Sequence, residues 1–192
     1  MILQLLNKQK THIIGIAGGS SSGKTYLCNK LIKKYNNITS INVDSYYNDL
    51  KNLTFEEREK NNFDHPSAFE FNLLIKHLNN ILKNKKIKIP IYDYKNHIRS
   101  NKFYTINENY NLILIEGIFS LYKKEIRDIL SLSIFIDIPN NIRKDRRLIR
   151  DEKNRKRSIP SIIKQYKKTV EPMYTKYVEP TKEYADIIIK KF

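Results

Sequence analysis

The chain of 192 residues has a single cysteine, Cys28. That excludes an internal disulfide framework, and a lone thiol fits a reducing compartment. Apolar runs of membrane-spanning length are also lacking. The opening "MILQLLNKQKTHIIGIAGG" is too short in its apolar stretch for a secretory h-region, and no positive segment precedes it. A soluble cytoplasmic protein is therefore expected, with no membrane partner. Internal repeats, heptad arrays and low-complexity linkers are missing too, while hydrophobic residues make up 40%, too many for a disordered chain. One domain spanning 1–192 is the expectation. Acidic residues are the minority, 20 Asp+Glu against 36 Lys+Arg, for a formal net charge of +16. Such an excess raises nucleic acid as a partner. Lysine is spread along the whole chain, however, so charge marks no single binding face and nucleic acid is disfavoured.

Short β-branched runs alternate with longer segments of helical period, the pattern of a parallel α/β sheet. The strand candidates are Thr11 to Ala17, Ile38 to Val43, Asn111 to Ile115, Leu132 to Asp137 and Ala185 to Ile189. All are nearly all apolar, as expected for strands covered on both faces. Helices are expected over Lys24 to Tyr35, Ala68 to Lys83, Lys123 to Leu130, Asn141 to Glu152 and Ser161 to Tyr177. In the second, Phe71, Leu74, Ile75, Leu78 and Leu82 form a stripe suited to packing on the sheet. One region, about 86–107, breaks the alternation. There "KIKIPIYDY" and "IRSNKFYTI" flank the turn-like "KNH" and read as an inserted β-hairpin. Such insertions commonly carry function, because the scaffold does not need them.

"IIGIAGGSSSGKT" has the full P-loop spacing, directly after a strand and opening a helix. Gly18, Gly19, Ser20, Ser21, Ser22 and Gly23 let the backbone curl so that its N–H groups and the helix N-terminus surround phosphates. Lys24 would bridge the outer phosphates and the Thr25 hydroxyl would ligate Mg²⁺. The guanine-reading string Asn-Lys-x-Asp and the switch Asp-x-x-Gly do not occur, which leaves a small kinase as the best-fitting P-loop class.

Two acids stand at strand ends, where the carboxyl edge of such a sheet meets the phosphates. They are Asp44 in "SINVD" and Glu116 in "NLILIEG". A hydroxyl-phosphorylating kinase needs one carboxylate to orient or deprotonate the acceptor and others to hold Mg²⁺ directly or through water. Asp44 is the candidate base and Glu116 the candidate metal-shell residue, with Asp44 and Thr25 also in reach of the ion. Taken singly, each acid also reads as a turn cap after its strand, the less favoured of the two readings.

Seven blocks in order, "GGSSSGKT", "DSYY", "NFDHPSAFEF", "IPIYDYKNHIRS", "LILIEGIFSLY", "RRLIRDEKNRKRS" and "VEPMYTKYVEPTKEYADIII", resemble the uridine kinase (uridine-cytidine kinase) family of phosphoribulokinase-like P-loop kinases. The resemblance implies a P-loop NTPase fold with a five-stranded parallel sheet flanked by helices, a hairpin over the nucleoside and an Arg-rich lid at about 147–160. It implies transfer of the γ-phosphoryl of ATP or GTP to the 5′-hydroxyl of uridine or cytidine, with Mg²⁺. Asp44 resembles the family's base, with Tyr47 beside it. Asp64 and Arg147 resemble the ribose contacts, and Tyr92, Tyr94 and His97 the hairpin residues that hold the pyrimidine. Arg157 and Gln165 resemble further nucleoside contacts, and Arg150 and Arg155 the cations on the transferring phosphates. A homo-oligomer, commonly a tetramer in the family, is implied as well.

The chain departs from the family pattern at Lys156, where glycine is frequent, and at Tyr94, where phenylalanine is common. Relatives usually continue past the fifth strand, so the resemblance does not assign the site of the donor base. In isolation Tyr92 and Tyr94 read as one face of an ordinary strand, and Asp64 and His97 as turn residues. Two other functions compete: a P-loop kinase for a sugar phosphate or pantothenate, and a basic nucleic-acid-binding protein. The first would want cations where Tyr92, Tyr94 and His97 stand. The run 146–158 has seven basic and two acidic residues; its Arg147 and Arg150, with Arg143 just before it, are expected to share a helical face directed at the site. Arg146, Lys153 and Lys156 are expected to face water, and the helix is expected to end at Asn154.

Overall fold

The computed structural model describes residues 10–107 and 110–191. Strand β1 (His12–Gly18) leads through the P-loop into α1 (Lys24–Lys34), which returns the chain to β2 (Ile38–Asn42). A short helix α2 (Phe55–Glu59) and the longer α3 (Phe71–Leu82) precede the antiparallel pair β3 (Ile87–Asp93) and β4 (Ile98–Ile106). Then come β5 (Leu112–Glu116), α4 (Lys124–Arg127), β6 (Leu132–Ile136), α5 (Asn140–Arg155), α6 (Ile159–Gln165) and β7 (Ile187–Ile189). The main sheet has the order β2-β5-β1-β6-β7, all pairs parallel. The α/β fold with a five-stranded parallel sheet flanked by helices is thus the one its alternation predicts, and the hairpin forms where the alternation breaks.

Period-two alternation divides the core. Ile13, Ala17, Ile113, Ile115 and Phe135 face one layer together with Phe71, Leu74 and Leu78 of α3. Ile14, Ile16, Leu112, Leu114, Ile134 and Ile136 face the other, against Cys28, Leu27 and Leu31 of α1. The three central strands are buried along their whole length, which is why they contain so few polar residues. The outer strands differ from expectation here, since β2 and β7 lie at the sheet edges and are only partly buried. Cys28 is 1% exposed, and burial pushes its thiol up to about 12, so it behaves as a small apolar side chain.

Several helix limits also differ from expectation. The α3 helix starts at Phe71 rather than Ala68, because Pro66–Ala68 forms a separate 3₁₀ turn opened by the His65 side chain. The segment expected as Lys123 to Leu130 keeps a single helical turn. The last helix begins at Ile159, with Pro160 in its first turn. It then passes through wide π turns at Tyr166–Val170 and Tyr174–Val178. Pro172, between the two, has no N–H to give and its ring crowds the preceding turn, which opens the helix locally. α2 went unforeseen, although Thr54 and Glu57 form a capping box around its start.

α5 runs through Arg155, three residues beyond the helix expected over Asn141 to Glu152 and one beyond the exit expected at Asn154, and stops because Lys156 turns left-handed, with φ 55° and ψ 34°. A side chain disfavours that conformation, whereas glycine adopts it without steric cost. Lys156→Gly is accordingly expected to raise stability by about 0.5–1 kcal/mol, seen as a higher urea midpoint at unchanged slope. A lower midpoint would mean that the Lys156 side chain contributes more than its backbone costs.

Candidate active site

Three P-loop residues adopt positive φ, Gly18, Ser21 and Gly23. Gly18 has φ +139°, and a Cβ there would come within 2.5 Å of the Ile136 carbonyl oxygen. Gly23, at φ 104°, is the left-handed residue from which α1 starts. The curled backbone leaves Lys24 almost buried, its Nζ donating to the Gly18 and Gly19 carbonyls at 3.0 and 2.9 Å. Burial lowers its pKa, and the nearby carboxylates of Glu116 and Asp44 oppose that shift.

The two strand-end acids lie beside this loop. Glu116 closes β5, and its Oε1 accepts from the Thr25 hydroxyl at 2.8 Å. Asp44 sits in the 3₁₀ turn Val43–Tyr46 that follows β2, where the Asn42 side chain accepts from its backbone N–H. Burial raises the carboxyl pKa of both above the ordinary range, with Lys24 pulling each back down. Ser20, Ser21, Gly23, Lys24, Thr25, Asp44, Tyr94, Glu116, Arg150 and Arg155 line one cavity of about 400 Å³. Among the described residues no three Asp, Glu, His or Cys side chains converge into a cage for a metal. The donors that are present, a hydroxyl and two carboxylates, suit Mg²⁺, which keeps several waters and shares its shell with substrate phosphates.

Tyr94 of the hairpin lines the cavity, and Tyr92 and His97 join Phe63 in an aromatic cluster that touches Tyr94. Tyr92 is 7% exposed, packs against Tyr47 and Phe63, and has a buried hydroxyl without a hydrogen-bond partner among the described residues. His97 stacks on Phe63 with centroids 4.9 Å apart and planes 16° apart. Tyr94 reaches across to the carboxylate, its Oη donating to Asp44 Oδ2 at 3.3 Å. Phe63, immediately before the "DH" pair, escaped the sequence reading, although it contacts Tyr92 and stacks on His97.

The arginines form a second group. Arg147 donates to the Ser20 hydroxyl at 2.8 Å and to Gln165 Oε1 at 3.1 Å, and Arg157 donates to the same Gln165 oxygen at 2.6 Å. Asp64 accepts from the Thr169 hydroxyl at 3.3 Å, and burial raises its pKa against the pull of Arg147. Arg146, expected to face only water, is exposed but borders the cavity, one turn of α5 from Arg150. Arg143 lies behind the P-loop rather than in front of it. Its guanidinium stands 3.8 Å from the Tyr174 ring centroid, and a Cβ on Gly19 would strike its Nη1.

One residue holds this group together and was missed by sequence reasoning. Asp151 is fully buried, with Arg150 at 2.8 Å, Arg147 at 3.4 Å, Arg155 at 3.6 Å and Arg157 at 3.9 Å. Burial opposes its ionisation, but Arg150, Arg147 and Arg155 outweigh that and hold its carboxyl below the usual range. The signal was in the spacing, since Asp151 is four residues after Arg147 and four before Arg155 on one helix face.

The structure therefore brings P-loop, strand-end acids, aromatic hairpin and arginines around one cavity and its flank. Residues 13–192 match the Phosphoribulokinase / Uridine kinase family. The uridine kinase of Streptococcus mutans is 45% identical over 184 residues, covering 95% of this chain and 88% of that protein. The uridine kinase of Staphylococcus haemolyticus is 46% identical over 181 residues, 93% of this chain and 87% of that one. The fold is also that of the phosphoribulokinase of Rhodobacter spheroides, with a TM-score of 0.69 at 14% identity over 94% of this chain and 70% of that one.

Proposed function

Since the chain belongs to the phosphoribulokinase/uridine kinase family, we propose that it phosphorylates the 5′-hydroxyl of uridine or cytidine, giving UMP or CMP in pyrimidine salvage. The donor is the γ-phosphoryl of ATP or GTP, and the enzyme is a phosphotransferase with an alcohol acceptor. One observation carries the choice of a nucleoside over other acceptors. The aromatic hairpin touches the strand-end carboxylate inside the phosphate cavity, through Tyr94 and Asp44. A neutral pyrimidine presents a flat face and a few donors and acceptors, which Tyr92, Tyr94, His97 and Gln165 suit. A sugar phosphate would call for cations at those positions.

In this mechanism the P-loop N–H groups of Gly18 to Gly23 and the Lys24 ammonium hold the donor phosphates. Thr25, Glu116 and Asp44 would hold Mg²⁺, which when bound neutralises charge on the β- and γ-phosphates. Asp64 and Arg147 orient the ribose from its hydroxyls, and Tyr47, buried against Phe63, Phe69 and Tyr92, supports the aromatic side of the site. Asp44 takes the 5′-hydroxyl proton as the new P–O bond forms and the bond to the β-phosphate oxygen breaks. Arg150 and Arg155 stabilise the charge on the transferring phosphoryl. Residues 147–160 act as a lid whose closure excludes water, with Arg157 and Gln165 meeting the nucleoside as it closes.

Among the described residues no helix is long and apolar enough to cross a membrane. The family resemblance is the ground for reading the enzyme as cytoplasmic and homo-oligomeric and as working on small molecules. A coupled assay with ATP and Mg²⁺ over uridine, cytidine, ribulose 5-phosphate and pantothenate tests the reading. Turnover is expected with the two nucleosides only. Turnover confined to ribulose 5-phosphate or pantothenate would replace the acceptor, and salt-sensitive RNA binding without any turnover would replace the class of function.

A further inference from the structure

The Asp44 carboxylate already faces a hydroxyl of the chain itself. Among the described residues, Tyr94 Oη is the group hydrogen-bonded to it, at 3.3 Å, and both side chains line the cavity that opens on the P-loop. We propose that the Tyr94 hydroxyl is a guard on the base: it occupies the acceptor position on Asp44 while the nucleoside is away, keeps an activated water off the donor phosphate, and yields to the nucleoside hydroxyl. The proposal rests on the reading of Asp44 as the base.

A base able to take a proton from a ribose hydroxyl is equally able to take one from water. If water stood on Asp44 beneath a bound donor, its oxygen would bond to the γ-phosphorus as the β–γ bridging bond broke. Its proton would pass to Asp44, and the products would be ADP and inorganic phosphate. Excluding that water is the usual task of lid closure, but a lid closes only after the nucleoside has bound. The Tyr94 hydroxyl covers the interval before it.

The geometry suits a group that must leave again. At 3.3 Å the bond is longer than the usual 2.5–3.0 Å for O–H···O, so a better-aligned hydroxyl displaces it at little cost. Tyr94 stands at the start of the hairpin turn and is 44% exposed, which leaves room to swing aside. Its ring meets Tyr92 edge-on at 5.4 Å and lies 5.2 Å from the Arg155 guanidinium. Nucleoside entering against Tyr92 and cation movement at Arg155 both reach the guard through these contacts.

Tyr94→Phe keeps the ring, its edge contact and its place under Arg155, and removes only the hydroxyl. With ATP and Mg²⁺ but no nucleoside, phosphate release is expected to rise about 10-fold over wild type, and the ratio of hydrolysis to nucleoside phosphorylation to rise with it. Combining it with Asp44→Asn is expected to return release to the wild-type level or below. That reversal places the extra release on Asp44, and an unchanged thermal unfolding midpoint in Tyr94→Phe separates the guard from a merely structural role. Unchanged release in Tyr94→Phe overturns the proposal, as does elevated release that survives the loss of Asp44. So does a phosphoryl group found on Tyr94 of the wild type by mass spectrometry, which would make the residue an acceptor. Failure of the underlying reading is separately visible, because wild-type enzyme would then leave uridine and cytidine unphosphorylated whatever the release rates.

Discussion

Lys24→Ala is expected to lower the rate of phosphoryl transfer by about 10³-fold or more, to the edge of detection. The ammonium is buried at the centre of the loop, between the Gly18 and Gly19 carbonyls and within the field of Glu116 and Asp44. It is fixed before the substrate arrives, so it meets the charge that develops on the phosphoryl without any cost of reorganisation. Nucleoside binding is expected to survive the substitution, because Asp64, Tyr92 and Gln165 make no hydrogen bond to Lys24 among the described residues. Rapid-quench kinetics and uridine calorimetry separate the two effects. Retention of more than about a tenth of the wild-type rate would mean that another cation, such as Arg150 or Arg155 on the same cavity, carries the phosphoryl charge.

Asp44→Asn is expected to lower kcat by about 10²-fold or more, with nucleoside affinity largely kept. The amide preserves the shape of the turn and can still accept from Tyr94, but it cannot take a proton. The same substitution is expected to leave the fold at least as stable as wild type. Burial raises the Asp44 pKa in the folded chain, so the folded state holds that proton more tightly than the unfolded one. Stability therefore falls as pH rises through the interval between the unfolded and folded values, and the charged form is a cost to the fold at neutral pH. Activity runs the other way, since the base must be ionised, and the acid limb of the pH–rate profile should vanish in Asp44→Asn. Thermal unfolding and pH–rate profiles check both halves. Wild-type turnover in Asp44→Asn would assign the base elsewhere.

How much of this was legible in the chain depended on the range of the interactions involved. The three central strands were readable because burial on both faces demands apolar runs, and the P-loop because Gly18 and Gly23 occupy conformations that other residues resist. The edge positions of β2 and β7 were not, since strand order is set by crossovers and not by composition. Local signals were overlooked in two places: the Thr54–Glu57 capping box that starts α2, and the four-residue spacing that makes Asp151 the partner of Arg147 and Arg155. Arg143 shows the limit of helical-face reasoning. It shares a face with Arg147, yet it passes beneath the P-loop to the Tyr174 ring. The Tyr94–Asp44 contact joins residues 50 apart, and no pattern in either neighbourhood announces it. It exists because the hairpin folds back over the end of β2, a consequence of tertiary packing alone.

The most direct test of the account is to identify the product. Phosphorus NMR of a reaction containing the wild-type protein, ATP, Mg²⁺ and uridine should show ADP and a single new phosphomonoester coupled to the 5′ protons of the ribose. Phosphate on a 2′ or 3′ oxygen, or ADP with inorganic phosphate and no nucleotide product, would contradict it.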